Sequence, residues 1–286
     1  MSGQGTYRTT ALVLRKTKLK ETDLIVTLLK EDGSLARAVA HGARRPKSPF
    51  ASRLEPCAIV DVLVARGRSL DVVQEARFVE SMRAVRADFD ASSAALPIVE
   101  LASRTAEEGL ENPRLYQCAT AALRLMEQAI APCPAGEGSG RPPLPAAPGA
   151  IAACRLLCAA CVLKELAFAG FRPSLAHCAA CGDALSFAGA SVAFDAREGG
   201  LLCEACAAAL PAPVAGQPAA RASVRRASTA ACALARDLLH RPFADAVAAR
   251  ADAACVREVL RLAHDLVEEH VGSRLRSLSF LLSTWT

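Results

Sequence analysis

The sequence predicts an α+β, multidomain chain: a five-stranded barrel first, then a mostly helical domain that carries a four-cysteine metal motif. Three observations predict it. Residues 6–80 hold short, β-branched or leucine-rich runs separated by turn residues. From residue 81 the apolar residues recur at helical spacing. Two Cys-x-x-Cys pairs, 178/181 and 203/206, then interrupt the helices with the spacing of a four-thiolate site.

The strands come in order. "YRTTALVL" and "DLIVTLL" are the first two, and "LARAVA" follows after Asp32-Gly33, a hairpin signal. In "IVDVLV", Val60, Val62 and Val64 face one way while Ile59, Asp61 and Leu63 face the other. Arg66-Gly67-Arg68-Ser69 turns this strand into "LDVVQ". About five short strands in this length fit a small barrel, and the OB-fold is a five-stranded one. Between the third and fourth strands lies "AHGARRPKSPF", where Pro46 and Pro49 disfavour a regular helix and stiffen a basic loop.

The helices follow. Leu96, Val99, Ala102 and Ala106 make one stripe, and Leu115, Cys118, Ala122 and Leu125 make another behind Asn112-Pro113, an N-cap with proline at the first helical position. Residues 132–149 hold six prolines and four glycines and read as a flexible insert. A helix resumes at 150 and is capped by Gly170. Further helices are expected over roughly 223–240 and 253–283. The domains are therefore 1–80, the barrel, and 81–286, the helical region, with the metal motif at about 175–210.

Cys178, Cys181, Cys203 and Cys206 are the expected ligands of one structural Zn2+, because four thiolates close a tetrahedral shell and leave no place for water. Gly182 suits the turn after the first pair, and Val192 and Phe194 alternate in a hairpin that turns at Gly199-Gly200. A second Cys-x-x-Cys, Cys158/Cys161 with Cys154 a turn earlier, lies in an unbroken apolar helix without a turn residue and reads as core packing.

Charge is uneven. Residues 1–70 carry thirteen Lys/Arg against six Asp/Glu, while the whole chain is only +5, so the positive excess sits at one end. Arg15, Lys16, Lys18 and Lys20 form a cluster after the first strand. Arg44, Arg45, Lys47 and Arg53 follow in the long loop, and Arg66 and Arg68 in a hairpin turn. Three such sites on one small barrel fit a phosphate backbone, although a solvated basic face has the same composition. Phe78 is expected to pack inward, leaving Tyr7 and Phe50 as the aromatic platforms, so contacts to the backbone should dominate.

Other chemistries find no support. "GARRPKS" is one residue short of a phosphate-binding loop, and Pro46 has no N–H to offer. A zinc deaminase needs H-x-E, and proline before the second pair, where Leu202 stands. His264 and His270 are expected on a solvated helix face, and Glu107-Glu108 and Glu268-Glu269 on exposed faces of amphipathic helices. No enzyme is expected. Residues 1–30 hold no secretory pattern and no stretch suits a bilayer, so twelve cysteines point to a reducing, cytoplasmic setting.

"ALVLRKTKLKETDLIVTLL", "AHGARRPKSPFASRLEP", "LKELAFAGFRPSLAHCAACG", "GGLLCEAC" and "LRSLSFLL" together resemble the RecO family of bacterial recombination mediators. The resemblance implies an OB-fold that binds single- and double-stranded DNA and a helical domain with a C4 zinc motif. It implies annealing of complementary strands coated with single-strand-binding protein, action with RecR to load RecA, and work at the nucleoid during repair. It also implies a pocket in the helical domain for the acidic tail of single-strand-binding protein, with Arg257, Arg261, Leu275, Arg276 and Leu278 as candidates. The residues alone read there as bundle core with solvated arginines. The insert at 132–149 departs from the family pattern. Two other readings stay open: a zinc-stabilised interaction or transcription-regulatory module without DNA annealing, and a nucleic-acid enzyme.

Overall fold

Alternating apolar residues build the first half. β1 (Thr6–Leu19), β2 (Asp23–Lys30), β3 (Leu35–Ala40), α1 (Phe50–Arg53), β4 (Ile59–Ala65) and β5 (Asp71–Glu80) follow in order. The strands close into a barrel in the order β1-β2-β3-β5-β4, the OB arrangement, with β3 and β5 parallel. In this computed structural model residues 5–131, 149–187, 189–210, 224–248 and 251–285 are described. All but the last residue of the insert expected at 132–149 lies outside them.

β1 runs five residues further than the sequence pattern indicated. A register shift between Val13 and Arg15 bends it, so Thr6–Leu12 pair with β4 and Ala11–Leu19 pair with β2. The barrel core is small and branched: Ala11, Val13, Val26, Leu28, Ala38, Val60, Val62, Val64 and Val73. The inward set of β4 is the one its alternation indicated. Phe78 is a correction: it pairs across from the core residue Val60 and so shares the face of Ala76, yet near the end of β5 it stays 41 % exposed.

The β2–β3 turn is tight. Asp32 Oδ1 accepts from the Ser34 N–H (2.8 Å) and hydroxyl (2.7 Å), and Gly33 adopts φ +80°. A Cβ on Gly33 would lie 1.8 Å from the Asn112 carbonyl oxygen. Gly33→Ala is therefore expected to destabilise the chain by about 2–4 kcal/mol, the left-handed backbone penalty plus a clash with main chain, as a lowered urea midpoint.

α2 (Arg83–Ala87), α3 (Phe89–Thr105), α4 (Pro113–Ile130) and α5 (Ala150–Phe168) follow. α3 packs on β1 and β2. Its buried residues include Ala91, Ala94, Ala95, Ile98, Val99, Leu101 and Ala102; of the expected stripe Val99, Ala102 and Ala106 are buried, while Leu96 is 39 % exposed. Glu107 and Glu108 lie beyond the end of α3, in the link to α4. Pro113 takes the first position of α4. α5 ends as expected at Gly170, φ +94°, where the Phe171 N–H reaches the Leu166 carbonyl.

Then come β6 (Ser191–Asp195), β7 (Gly200–Leu202), α6 (Glu204–Ala209), β8 (Val224–Ser228), α7 (Thr229–His240), α8 (Phe243–Ala248), α9 (Ala253–His270) and α10 (Arg276–Thr284). β6 and β7 form the expected hairpin, and β8 adds to the other edge of β6. β8 replaces the start of the helix expected from 223, and the helix expected over 253–283 breaks at Gly272, φ +64°. The chain parts into two compact units, Met1–Cys154 and Arg155–Thr286. Among the described residues no helix is long and apolar enough to cross a membrane.

Candidate nucleic-acid interface and metal centre

Strand register brings two of the three basic segments to one end of the barrel. Leu19 pairs with Asp23 across the β1–β2 turn, Leu24 pairs with Ala40 at the end of β3, and Ala38 pairs with Asp71 at the start of β5. The turn carrying Lys20 and the loop that begins at His41 therefore share a rim, whereas Ala65 pairs with Thr6, so the turn carrying Arg66 and Arg68 lies at the other end, beside the start of β1.

Hydrogen bonds stitch this rim. Asp23 Oδ1 accepts the Gly42 N–H at 2.8 Å, and Oδ2 meets His41 Nδ1 at 2.9 Å. The Gly42 N–H and then the His41 ring hold the Asp23 carboxyl down at about 2, against its burial. A depressed carboxylate stabilises the fold above its unfolded range of about 4, and that contribution is lost as pH falls through about 2. The Arg44 N–H donates to the Thr22 carbonyl, and its guanidinium to the carbonyls of Glu21 (2.7 Å) and Lys20 (3.3 Å). Arg53, on α1, donates to the Ala76 carbonyl at 3.0 Å. These two arginines hold the loop to the barrel.

Arg45 and Lys47 are exposed, their side chains with no hydrogen bond or ion pair among the described residues, and line a cavity of about 310 Å³ with His41, Ser48 and Phe50. Arg68 is likewise exposed. Arg66 lies over the Tyr7 ring, 5.3 Å from its centroid. The Tyr7 hydroxyl and the Gly67 N–H both donate to Asp71, which fixes the β4–β5 turn. Burial and that bond to Asp71 push the Tyr7 phenol well above its usual range, so it stays a donor.

The cluster at 15–20 divides. Arg15, Lys16 and Lys18 lie on β1, not after it, and a strand sends alternate side chains to opposite faces. Lys16 and Lys18 pair across from Val26 and Leu24, which face the core, so they share the inner face, and Lys16 meets Glu55. Arg15 pairs with Thr27, and Thr27 with Arg37, a cross-strand row on the outer face. With Leu70 and Arg104 this row lines a groove of about 410 Å³. Arg37 and Arg104 were missed by the sequence reading. One stands alone among alanines, and the other lies on α3, far along the chain.

In the second unit, Cys178, Cys181, Cys203 and Cys206 converge, their sulfurs all within 4.8 Å of one another and Cys181 to Cys203 at 3.9 Å. A tetrahedral ion with metal–sulfur bonds of about 2.3 Å spaces its ligands about 3.8 Å apart, so the four fit. Gly182, φ +82°, closes the first turn by donating to the Cys178 carbonyl, and Cys203 begins α6, its sulfur accepting from the Cys206 N–H. Burial opposes ionisation of Cys178, yet the N–H groups of Cys181, Cys203 and Ala180 outweigh it and bring the thiol down to about 6. Hydrogen bonds with Cys203, Cys181 and Cys178 push Cys206 up to about 12. Four thiols this close ionise together only around a cation. Among the described residues this is the one such group, while Cys154, Cys158 and Cys161 are fully buried packing.

The candidate partner residues separate. Leu275 and Leu278 are wholly buried, so they are core and offer nothing to a docking peptide. Arg257 is half-buried and donates to the Leu282 carbonyl, whereas Arg261 and Arg276 are exposed. Neither histidine expected on a solvated face is solvated: His264 reaches Ser279 at 3.0 Å, and His270 stacks on Phe171.

Comparison with known proteins gives two family matches, recombination protein O N terminal over residues 1–82 and recombination protein O C terminal over 150–279. A DNA repair protein RecO from Nocardioides sp. is 39 % identical over 212 residues, 72 % of this chain and 78 % of that protein. Proteins of the same name from two strains of Bifidobacterium longum are 39 % identical over 202 residues, 70 % of this chain and 73 % of theirs.

Proposed function

The chain belongs to the RecO family, and from that premise we propose that it is a DNA repair protein that binds single- and double-stranded DNA through the barrel rim and anneals complementary strands. One observation carries the reading: Arg45 and Lys47, exposed cations whose side chains have no partner among the described residues, stand together on a rim held by main-chain hydrogen bonds. Binding of this kind grips phosphates and ignores base identity. Phe78 alone among the barrel's aromatic rings is exposed, so stacking adds little. Sequence indifference suits annealing, since two strands must slide until they find register. The Arg15–Thr27–Arg37 row gives the outer face a second cationic track.

The four cysteines hold a structural Zn2+ in this reading, with all four positions thiolate and none left for water. The protein works without turnover, in the cytoplasm, with RecR and with the acidic tail of single-strand-binding protein as partners. Arg261 and Arg276 are the exposed candidates for the tail.

Fluorescence anisotropy with labelled oligonucleotides, repeated over a range of salt, tests the reading together with an annealing assay with and without single-strand-binding protein. Binding should weaken steeply with salt, be indifferent to sequence and accelerate annealing. Salt-independent binding or none would favour an interaction module, and strand cleavage would make the protein an enzyme.

A further inference from the structure

A carboxylate sits inside the cationic rim. By charge alone Asp23 repels a phosphate backbone, yet its side chain is only 14 % exposed and both oxygens are engaged. Oδ1 takes the Gly42 N–H and the Thr22 hydroxyl (3.0 Å), and Oδ2 takes the His41 ring. The same two segments meet again where Arg44 donates to the carbonyls of Thr22, Glu21 and Lys20. Gly42, φ +64°, then turns the chain, and the Arg45 N–H returns to the Gly42 carbonyl.

We propose that Asp23 is a positioning residue for nucleic-acid binding: it fuses the β1–β2 turn to the 41–47 loop, so that Arg45 and Lys47 project from a rigid base. This rests on the reading of the rim as a phosphate-binding surface. A loop ordered before binding does not lose that freedom on contact, whereas an untethered one loses about 0.5–1.5 kcal/mol per immobilised long side chain. The charge of Asp23 opposes the ligand while its geometry favours it, and the two contributions separate by substitution.

Asp23→Glu keeps the charge and misplaces it by one methylene. Asp23→Asn removes the charge and keeps an oxygen for the Gly42 N–H. Asp23→Ala removes both. In the full chain, with a labelled single-stranded oligonucleotide, the Glu and Ala variants should each bind about three- to tenfold more weakly. The Asn variant should bind at least as tightly as the wild type. Trypsin cleavage after Arg44 and Lys47, measured without DNA, should quicken in Glu and Ala but not in Asn. Should Ala fail to fold, the Glu–Asn pair still decides.

The reverse order, with Asn and Ala both tighter and Glu unchanged, would mean that Asp23 acts by charge alone and would overturn the proposal. So would a freed loop with unchanged affinity, or an unchanged loop in all three variants. If Arg45→Ala and Lys47→Ala leave binding intact, the rim reading fails instead, and the role proposed for Asp23 falls with it; the trypsin rates then still report whether the tether exists.

Discussion

Replacing Arg45 and Lys47 together by alanine is expected to weaken single-stranded DNA binding roughly ten- to thirtyfold near 0.1 M salt and to lower the log–log salt slope by about 1.4, the counterion release of two phosphate contacts. Neither side chain is engaged by the protein among the described residues, so the folded barrel should be unaffected. Arg44 differs. Its guanidinium holds the main chain of the β1–β2 turn, so Arg44→Ala should loosen the loop and change the slope less. Arg53→Ala should act likewise through its bond to Ala76. Anisotropy across a salt series separates the two classes, and equal slopes for wild type and the Arg45/Lys47 variant would remove the loop from the binding surface.

Removing the metal should be the larger structural event. A four-thiolate zinc site contributes about 10–16 kcal/mol in isolated peptides, as much as the entire stability of many domains. Cys178 is the deepest of the four and accepts main-chain N–H bonds from both halves of the site. Cys178→Ser, or a strong chelator, should therefore abolish binding of one metal equivalent and open the segment between Phe171 and Leu210 to proteases. The barrel should keep its melting transition and its DNA affinity to within about twofold, since it lies in the other compact unit. Elemental analysis and protease mapping check this, and a metal-free chain with the wild-type cleavage pattern would show the centre to be dispensable for the fold.

The barrel was legible because alternation in "IVDVLV" and the turn at Asp32-Gly33 are local signals, and the metal centre because each half of it is a four-residue pattern. What could not be read depends on distant partners. The bulge at Leu14 resets the phase of β1, so "RKTKL" looked like a tail although it is strand. β8 escaped because "VRRAS" exposes two arginines, Arg225 paired with Asp265 and Arg226 with Glu204, and reads as helix-compatible. Of the ten basic residues singled out, Arg44, Arg53, Lys16 and, over the Tyr7 ring, Arg66 are engaged by the protein itself, and nothing near them in sequence says so. Asp23 was invisible as part of a site, because its partners lie eighteen and nineteen positions away.

The docking of the β2–β3 hairpin on the α3–α4 link bears on how this gene is cut for laboratory work. The Leu35 N–H is satisfied by the Glu107 carbonyl, and Leu12, Leu14 and Leu29 are buried on the side of the strands away from the barrel interior. A fragment stopped at residue 82, where the N-terminal family match ends, would leave that amide without its acceptor and present those leucines to water. It would be sticky in expression trials for reasons unrelated to nucleic acid, and a shorter clone made to study binding should extend past Ile130.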